Sequence, residues 1–368
     1  MSKAMPPRTR KMKQLFTVSG VLVGVTAITS SYLWWNTDVL GADSFCGGRL
    51  NSADVRAALD STGRLGQAQS HLDPGLPEYT CTVERTSRFV GGKDQQLTVK
   101  TSSEQGAFPF TTSVWKSPAT RSYFTNGLTG AVSDSGGYVV LPKACWDKVG
   151  ALQGNRVVRA GKGAVAAVEA TVTQGRADRT GLARLLAHSA QQIARKAGCA
   201  NPGTDRAPGL GAPAARRTTD VQSVCGLRGF ALPEAAVLVG RAEPDAEQIN
   251  TATAHTWACD LQLAGSARAS MSFTATTDGI FAHAALSGPT RFQKLPSHRG
   301  ETAPGQAVLH CRDNDVYFAA RWNSAYEGAL LESVHHSAAN YAKIKRNAFQ
   351  NFLNATASRY ACPSVDLP

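Results

Sequence analysis

Apolar positions along the chain follow three patterns: one unbroken run, several alternations of period two, and several stripes of period near 3.6. The unbroken run is Leu15 to Trp35 (LFTVSGVLVGVTAITSSYLWW), uncharged and just long enough to cross a bilayer's hydrocarbon core as one helix. Alternation predicts strands at Tyr79-x-Cys81-x-Val83 and Trp257-x-Cys259-x-Leu261, each placing an aromatic, a cysteine and an aliphatic side chain on one buried face. Further β-prone runs lie at Tyr138 to Leu141 and Ala307 to Leu309. Helical stripes cover Gly181 to Ala197 (Leu182, Leu185, Leu186, Ile193) and Tyr341 to Tyr360 (Ile344, Phe349, Phe352, Leu353). Shorter helical patterns occupy Ser52 to Leu59, where Ser52 can cap, and Leu232 to Val239, where Pro233 suits a first turn.

The eight cysteines organise these elements into two sets. Cys46, Cys81, Cys145 and Cys199 are separated by 35, 64 and 54 residues; Cys225, Cys259, Cys311 and Cys362 by 34, 52 and 51. Flanking residues agree as well: Cys46-Gly47 matches Cys225-Gly226, each second cysteine sits in an alternating strand, each third closes a β-prone run, and each fourth ends a long helix. These agreements predict a duplication of α+β modules with helices packed on antiparallel sheet. The extra length of the first module falls at Gly106 to Gly137, read as a longer hairpin or loop. The expected organisation is a cytoplasmic basic tail (1–14), a transmembrane helix (15–35), a stalk (36–45), module one (46–199), a Pro/Gly/Ala linker (200–224) and module two (225–368). Four cysteines in one module allow three pairings; consecutive pairing is preferred, each bridge contributing about 3 to 4 kcal/mol in the chain-entropy model.

Charge sets the topology. Arg8, Arg10, Lys11 and Lys13 precede the apolar run, and Trp34 and Trp35 close it, so the N-terminus is expected inside and the remaining chain in an oxidising, extracytoplasmic space that suits disulfides. A cleaved secretion signal is the alternative, with Leu40, Gly41 and Ala42 as a poor site; lipidation at Cys46 lacks the small residue directly before it. Of the net charge of +12, residues 46 to 199 carry nineteen basic and eleven acidic side chains, whereas residues 225 to 368 carry twelve of each. Topology excludes nucleic acid and leaves anionic wall polymer, acidic headgroups or an acidic protein surface as partners.

Candidate chemistry is sparse. Ser133-Asp134-Ser135-Gly136-Gly137 is similar to the nucleophile signature of chymotrypsin-type proteases, but only His71 precedes it, and the stretch reads as a Gly-rich turn. Ser113-Val114-Trp115-Lys116 matches S-x-x-K without the accompanying S-D-N or K-T-G elements. His310, Asp313 and Asp315 cluster around Cys311 as a weak polar-site candidate, and His335-His336 precede the last helix; neither forms a metal motif. Trp115, Tyr123, Phe124, Trp146, Trp257, Trp322 and Tyr326 are core aromatics or, in part, a sugar-binding surface. No catalytic residue, cofactor or metal is expected. Gly20-x-x-x-Gly24 is a small-residue pair suited to close helix contact with another membrane protein.

On its cysteine placement and basic N-terminal tail, the chain resembles single-pass or lipid-anchored cell-envelope proteins of actinobacteria, a group without an assigned function and with disulfide-bonded α+β ectodomains, and, more distantly, the extracytoplasmic sensor domains of transmembrane Ser/Thr kinases. The resemblance carries no site residues across; the anchor, the duplication, the charge bias of module one and the lack of a coherent active site lead instead to the expectation of a non-catalytic binding or sensor-like role in the envelope. An envelope hydrolase or transferase with a site in module two, and an assembly partner of another membrane protein, are the alternatives.

Overall fold

The computed structural model describes residues 21, 23–33, 37–38, 41–59, 63–86, 95–104, 117–125, 127–161, 164–199, 208–236, 244–251, 255–263 and 269–368. In chain order the elements are β1 (Ser44–Phe45), β2 (Leu50–Asn51), α1 (Ser52–Ala58), β3 (Arg64–Leu72), β4 (Tyr79–Thr86), β5 (Gln95–Glu104), β6 (Ser122–Phe124), β7 (Gly130–Ser133), β8 (Gly136–Val140), β9 (Ala151–Gln153), β10 (Arg156–Val158), β11 (Val165–Gln174) and α2 (Arg179–Lys196). They continue with β12 (Leu210–Gly211), β13 (Pro244–Asn250), β14 (Thr256–Leu263), β15 (Ser270–Thr276), α3 (Gly279–Ser287), β16 (Gln293–Lys294), β17 (Gly300–Ala303), β18 (Gln306–His310), β19 (Asp315–Trp322), α4 (Ser324–Ser333) and α5 (Ala338–Ala357).

Two antiparallel sheets carry the fold, one in the order β12-β6-β7-β8-β11-β5-β4-β3 and the other β13-β14-β15-β19-β18-β17-β16. Read from β6 and from β16, the connectivities coincide strand for strand: in each, the strand that precedes the long helix system lies at the centre and the first strand at an edge. The four disulfides join Cys46 to Cys81, Cys145 to Cys199, Cys225 to Cys259 and Cys311 to Cys362, which is consecutive pairing. The matching cysteine-glycine pairs also share a backbone conformation, with positive φ at Cys46, Gly47, Cys225 and Gly226.

The alternating strands bury their expected faces: Tyr79, Cys81 and Val83, with Leu97 and Val99 beside them, meet Leu182, Leu185, Leu186 and Ile193 of α2. Gly181 lets α2 approach α1, because a Cβ there would lie 2.1 Å from the Ala57 carbonyl oxygen. On the second sheet Trp257, Cys259, Leu261, Phe273 and Phe318 meet Ile344, Phe349, Phe352 and Leu353 of α5. Between the sheets lies α3, an apolar segment (GIFAHAALS) whose Phe281, Ala282, Ala284 and Ala285 share a buried cluster with Tyr138 of the first sheet and with Val308, Tyr317 and Ala319 of the second.

Several expectations change. Of the span Leu15 to Trp35, residues 15–20, 22, 34 and 35 lie outside the described ones; residues 23–33 are helical, and among the described residues no helix is long and apolar enough to cross a membrane. The stalk is not free where described. The Asp38 carboxylate accepts the Leu65 N–H at 2.6 Å and lies 3.3 Å from Arg56 and 3.8 Å from Arg85, because a carboxylate buried this far must find partners. The linker is likewise strapped down over its described part. β12 extends the first sheet, and Arg217 exchanges backbone bonds with Glu247 while its guanidinium sits 2.6 Å from that fully buried carboxylate, which also accepts the Cys225 N–H. The pattern Leu232 to Val239 yields one turn, Glu234–Ala236, with residues 237–239 outside the described ones. Gly106 to Gly137 contains β6 and β7, while residues 106–116 and 126 lie outside the described ones; the first module also has the β9–β10 hairpin between its third and fourth cysteines.

α1 is capped by Asn51, whose side chain accepts the Ala53 N–H at 2.8 Å, and not by Ser52. Asn51→Ala is therefore expected to lower stability by about 1 kcal/mol in chemical denaturation, with Ser52→Ala nearer to neutral; the reverse order would contradict this cap.

Candidate functional site

An open groove of about 810 Å³ lies on the second sheet's half, within the size range of small-molecule sites, about 300 to 1,000 Å³. Its walls come from the β17–β18 turn at Pro304 and Gly305, the end of β19, the first turn of α4, one face of α5 and the segment at Leu367 and Pro368. Alternation along β19 places Val316, Phe318 and Trp322 on the helix-covered side, so the last of them reaches the groove. Gly305, at φ +69°, keeps the turn close above: a Cβ there would lie 2.9 Å from the Ala320 carbonyl oxygen and 3.4 Å from the Trp322 ring.

Asn323 ends β19 and starts α4 by accepting N–H bonds from Ser270 and Tyr326, which fixes Glu327 in the first helical turn, where the helix dipole favours an acid. On α5, Tyr341 and Lys345 are four residues apart and share a face. Lys345 Nζ donates to Glu327 Oε1 at 2.7 Å and to Tyr341 Oη at 3.0 Å, and the Tyr341 hydroxyl donates to Glu327 at 2.9 Å. The ammonium also sits 4.8 Å from the Trp322 ring centroid and 4.7 Å from that of Tyr341. Partial burial works to lower the Lys345 pKa, but the bonds to Glu327 and Tyr341 outweigh it and the net displacement is upward. The same bonds hold Glu327 below its usual range against the opposing effect of burial.

Five cationic side chains line the groove, Arg291, Arg321, Lys343, Lys345 and Arg346, with one acidic side chain, Glu327, which Lys345 and Tyr341 engage and which also feels the charge of Arg321. Arg346 donates to a main-chain oxygen of Pro368, the last residue of the sequence, at 2.9 Å. Trp322 is 6% exposed, and its indole Nε1 has no hydrogen-bond partner and is itself shielded from solvent. A buried N–H left unmade costs about 1 to 3 kcal/mol.

The candidates from sequence fall elsewhere. Ser133 Oγ bonds back to the Gly136 carbonyl within the β7–β8 hairpin, and Asp134 pairs with Arg176. His71 lies on β3, five strand spacings from β7, or about 24 Å, so no triad assembles with it. Ser113, Trp115 and Lys116 lie outside the described residues. His310 Nδ1 and Asp315 Oδ1, 2.8 Å apart, close the β18–β19 hairpin, with Asp313 exposed in its turn. Among the described residues no group of three or more His, Cys, Asp or Glu side chains is arranged to hold a metal ion. His335 and His336 both adopt positive φ in the turn that closes α4, not on a helix. Of the aromatic candidates, Tyr123, Phe124, Trp146, Trp257 and Tyr326 are buried core, and Trp322 alone among these six borders the groove.

The basic excess of the first half is partly internal. Arg49 donates to the Leu76 carbonyl, Arg179 to Thr120 and Ser122, and Arg184 meets the largely buried Asp54, which also holds His188 at 2.7 Å. No family model, curated protein or solved structure matches this chain.

Proposed function

We propose that the protein is a non-catalytic, single-pass membrane-anchored binding protein of the cell envelope, with its ligand site in the groove beside Trp322. The observation that carries the reading is the groove itself, open, of small-molecule size and lined by five cationic side chains and one acidic one. Support for the anchor comes from residues 23–33, helical and outward-facing, with Val21, Val23, Val25 and Ile28 all more than half exposed. Basic residues precede this run and tryptophans follow it, the order that keeps the N-terminus inside. Four disulfides fit an oxidising compartment.

Wall polymers and an envelope protein are the two classes of ligand under this reading. The test is co-sedimentation of residues 36–368, a length that retains the Asp38 contacts, with isolated cell-wall material across a salt series. Pelleting that is lost when the anionic polymers are stripped supports a wall ligand. If nothing pellets, and crosslinking in intact cells captures no envelope protein through the groove, the binding role is wrong.

A further inference from the structure

We infer that the end of the first half built around the Cys145–Cys199 bridge is a docking surface for a linear polyanion, separate from the groove. Five exposed cations gather there: Lys143 and Lys148 flank Cys145, Arg156 lies in the β9–β10 hairpin, and Arg195 and Lys196 close the last turn of α2. Their elements are tied together. Lys148 Nζ donates to the Gly198 carbonyl at 2.7 Å, Arg159 donates from the hairpin's exit to the Lys148 carbonyl at 2.9 Å, and Lys196 donates to the Pro74 carbonyl. Carbonyls are neutral acceptors, so these bonds hold the ammonium groups in place and leave their charge unanswered. No carboxylate among the described residues forms an ion pair with any of the five. Two exposed acids, Asp73 and Asp147, share this end. Lys143 acts on His283, but that is itself a base, whose pKa burial and this charge both lower, so Lys143 is not compensated there.

Elsewhere in the first half cations meet acids: Arg56 pairs with Asp38, Lys100 with Glu169, Arg176 with Asp134 and Arg184 with Asp54, while Arg159 lies 3.8 Å from the buried Glu78. The charge excess of residues 46–199 is therefore displayed in part at this one end. The hairpin has no counterpart between Cys311 and Cys362, in the half whose charges balance. Position favours a polymer over the bilayer, a choice that rests on the topology proposed above. Asp38 binds the start of β3 at Leu65, whereas Pro74, held by Lys196, follows its end at Leu72, about 23 Å along the strand. The cations thus lie at the far end from the anchor, more than two Debye lengths away. They are spread over three elements, an arrangement that a chain with a charge on every repeat engages at several points. Phosphodiester and carboxylate repeats share the required oxygens, and the experiment separates them.

The full chain in detergent micelles is titrated calorimetrically with poly(glycerol phosphate), with polygalacturonate and with neutral dextran. We expect at least one of the two polyanions to bind, dextran not to bind, and affinity to fall as salt rises. Lys143→Gln/Arg156→Gln/Arg195→Gln removes three charges whose side chains make no hydrogen bond or ion pair, so the fold is undisturbed; it should weaken binding about tenfold and flatten the salt dependence. Arg228→Gln/Arg312→Gln/Arg359→Gln removes the same charge from exposed positions of the second half and should change affinity less than about twofold. Equal losses in the two variants would assign binding to net charge and overturn the inference, as would failure of both polyanions to bind. The chain is then placed in nanodiscs of zwitterionic lipid, with and without anionic lipid. Unchanged affinity supports a surface clear of the bilayer, and loss in the anionic discs would give that surface to the membrane and overturn the polymer. Failure to enter the discs removes the proposed anchor, while the micelle titrations still decide whether the surface binds.

Discussion

Phe352→Ala is expected to destabilise the second sheet's half by about 4 kcal/mol, the range for deleting a fully buried aromatic side chain. Phe352 is 0% exposed and its ring meets five others: Phe230 at 5.9 Å, Trp257 at 5.6 Å, Phe273 at 5.0 Å, Phe318 at 6.1 Å and Phe349 at 6.2 Å between centroids. These residues come from both strands and helix, so the cavity left by truncation cannot close by moving one side chain. Part of the loss is apolar transfer and part is the forfeited ring contacts, each worth about 0.5 to 1.5 kcal/mol beyond area. Phe352→Leu refills most of the volume and should cost well under half as much. Urea denaturation with the disulfides intact, followed by near-ultraviolet tryptophan signal, measures both. A loss below about 1 kcal/mol for the alanine variant would show that this ring is not the centre of the second core.

Between pH 7 and pH 4 the protein is expected to gain stability through Asp260, by up to about 3 kcal/mol. This aspartate lies on the face of β14 turned toward the first sheet, where it accepts the Ala119 N–H at 2.9 Å and the Ser272 hydroxyl at 2.5 Å. Asp260 as a residue keeps some exposure, yet its carboxylate oxygens are both engaged. Burial pushes its pKa up to about 6, although the bonds from Ser272, Ala119 and Thr120 and the nearby Arg121 all act in the opposite direction.

The folded-state value thus lies above the unfolded value of 3.8, and the fold binds the proton more tightly than the open chain does. Ionisation therefore opposes folding at neutral pH, and that penalty disappears as pH falls through 6 toward 3.8. Glu104 is displaced upward too, by burial and by the adjacent Glu169, so the wild-type profile contains more than one contribution. Asp260→Asn isolates the one of interest. Its thermal midpoint should change less between pH 7 and pH 5 than that of the wild type. Parallel profiles for the two proteins would contradict the assignment.

Much of the fold was legible because period and cysteine order report it directly. Tyr79, Cys81 and Val83 had to share a face once the run was a strand, and so did Trp257, Cys259 and Leu261. The long helices were visible for the same reason. What escaped was set by single buried charges whose partners are remote in sequence. Nothing near Asp38 announces Leu65 and Arg85, and nothing in the Pro/Gly-rich composition around residue 210 announces that Glu247 will hold Arg217. A stalk and a linker were the natural readings of composition; buried carboxylates decided otherwise.

The groove was hidden for a related cause. Trp322, Glu327 and Lys345 sit on three elements, and only Tyr341 and Lys345, four apart on one helix, left a local trace. Asn51 displaced Ser52 as the α1 cap for a purely local reason: two adjacent residues could serve, and backbone entry from β2 selected the first.

The docking of Asp38 limits how far the first sheet can stand from the bilayer under the proposed topology. Leu33 is helical and Asp38, five Cα–Cα steps further on, is fixed against Leu65, so the two are separated by at most about 18 Å even when fully extended. That height is about two Debye lengths at physiological ionic strength. Under that topology the first sheet would sit as a low platform, its tilt governed by headgroup charge and by the angle of the apolar helix, and would not sweep through the wall on a tether.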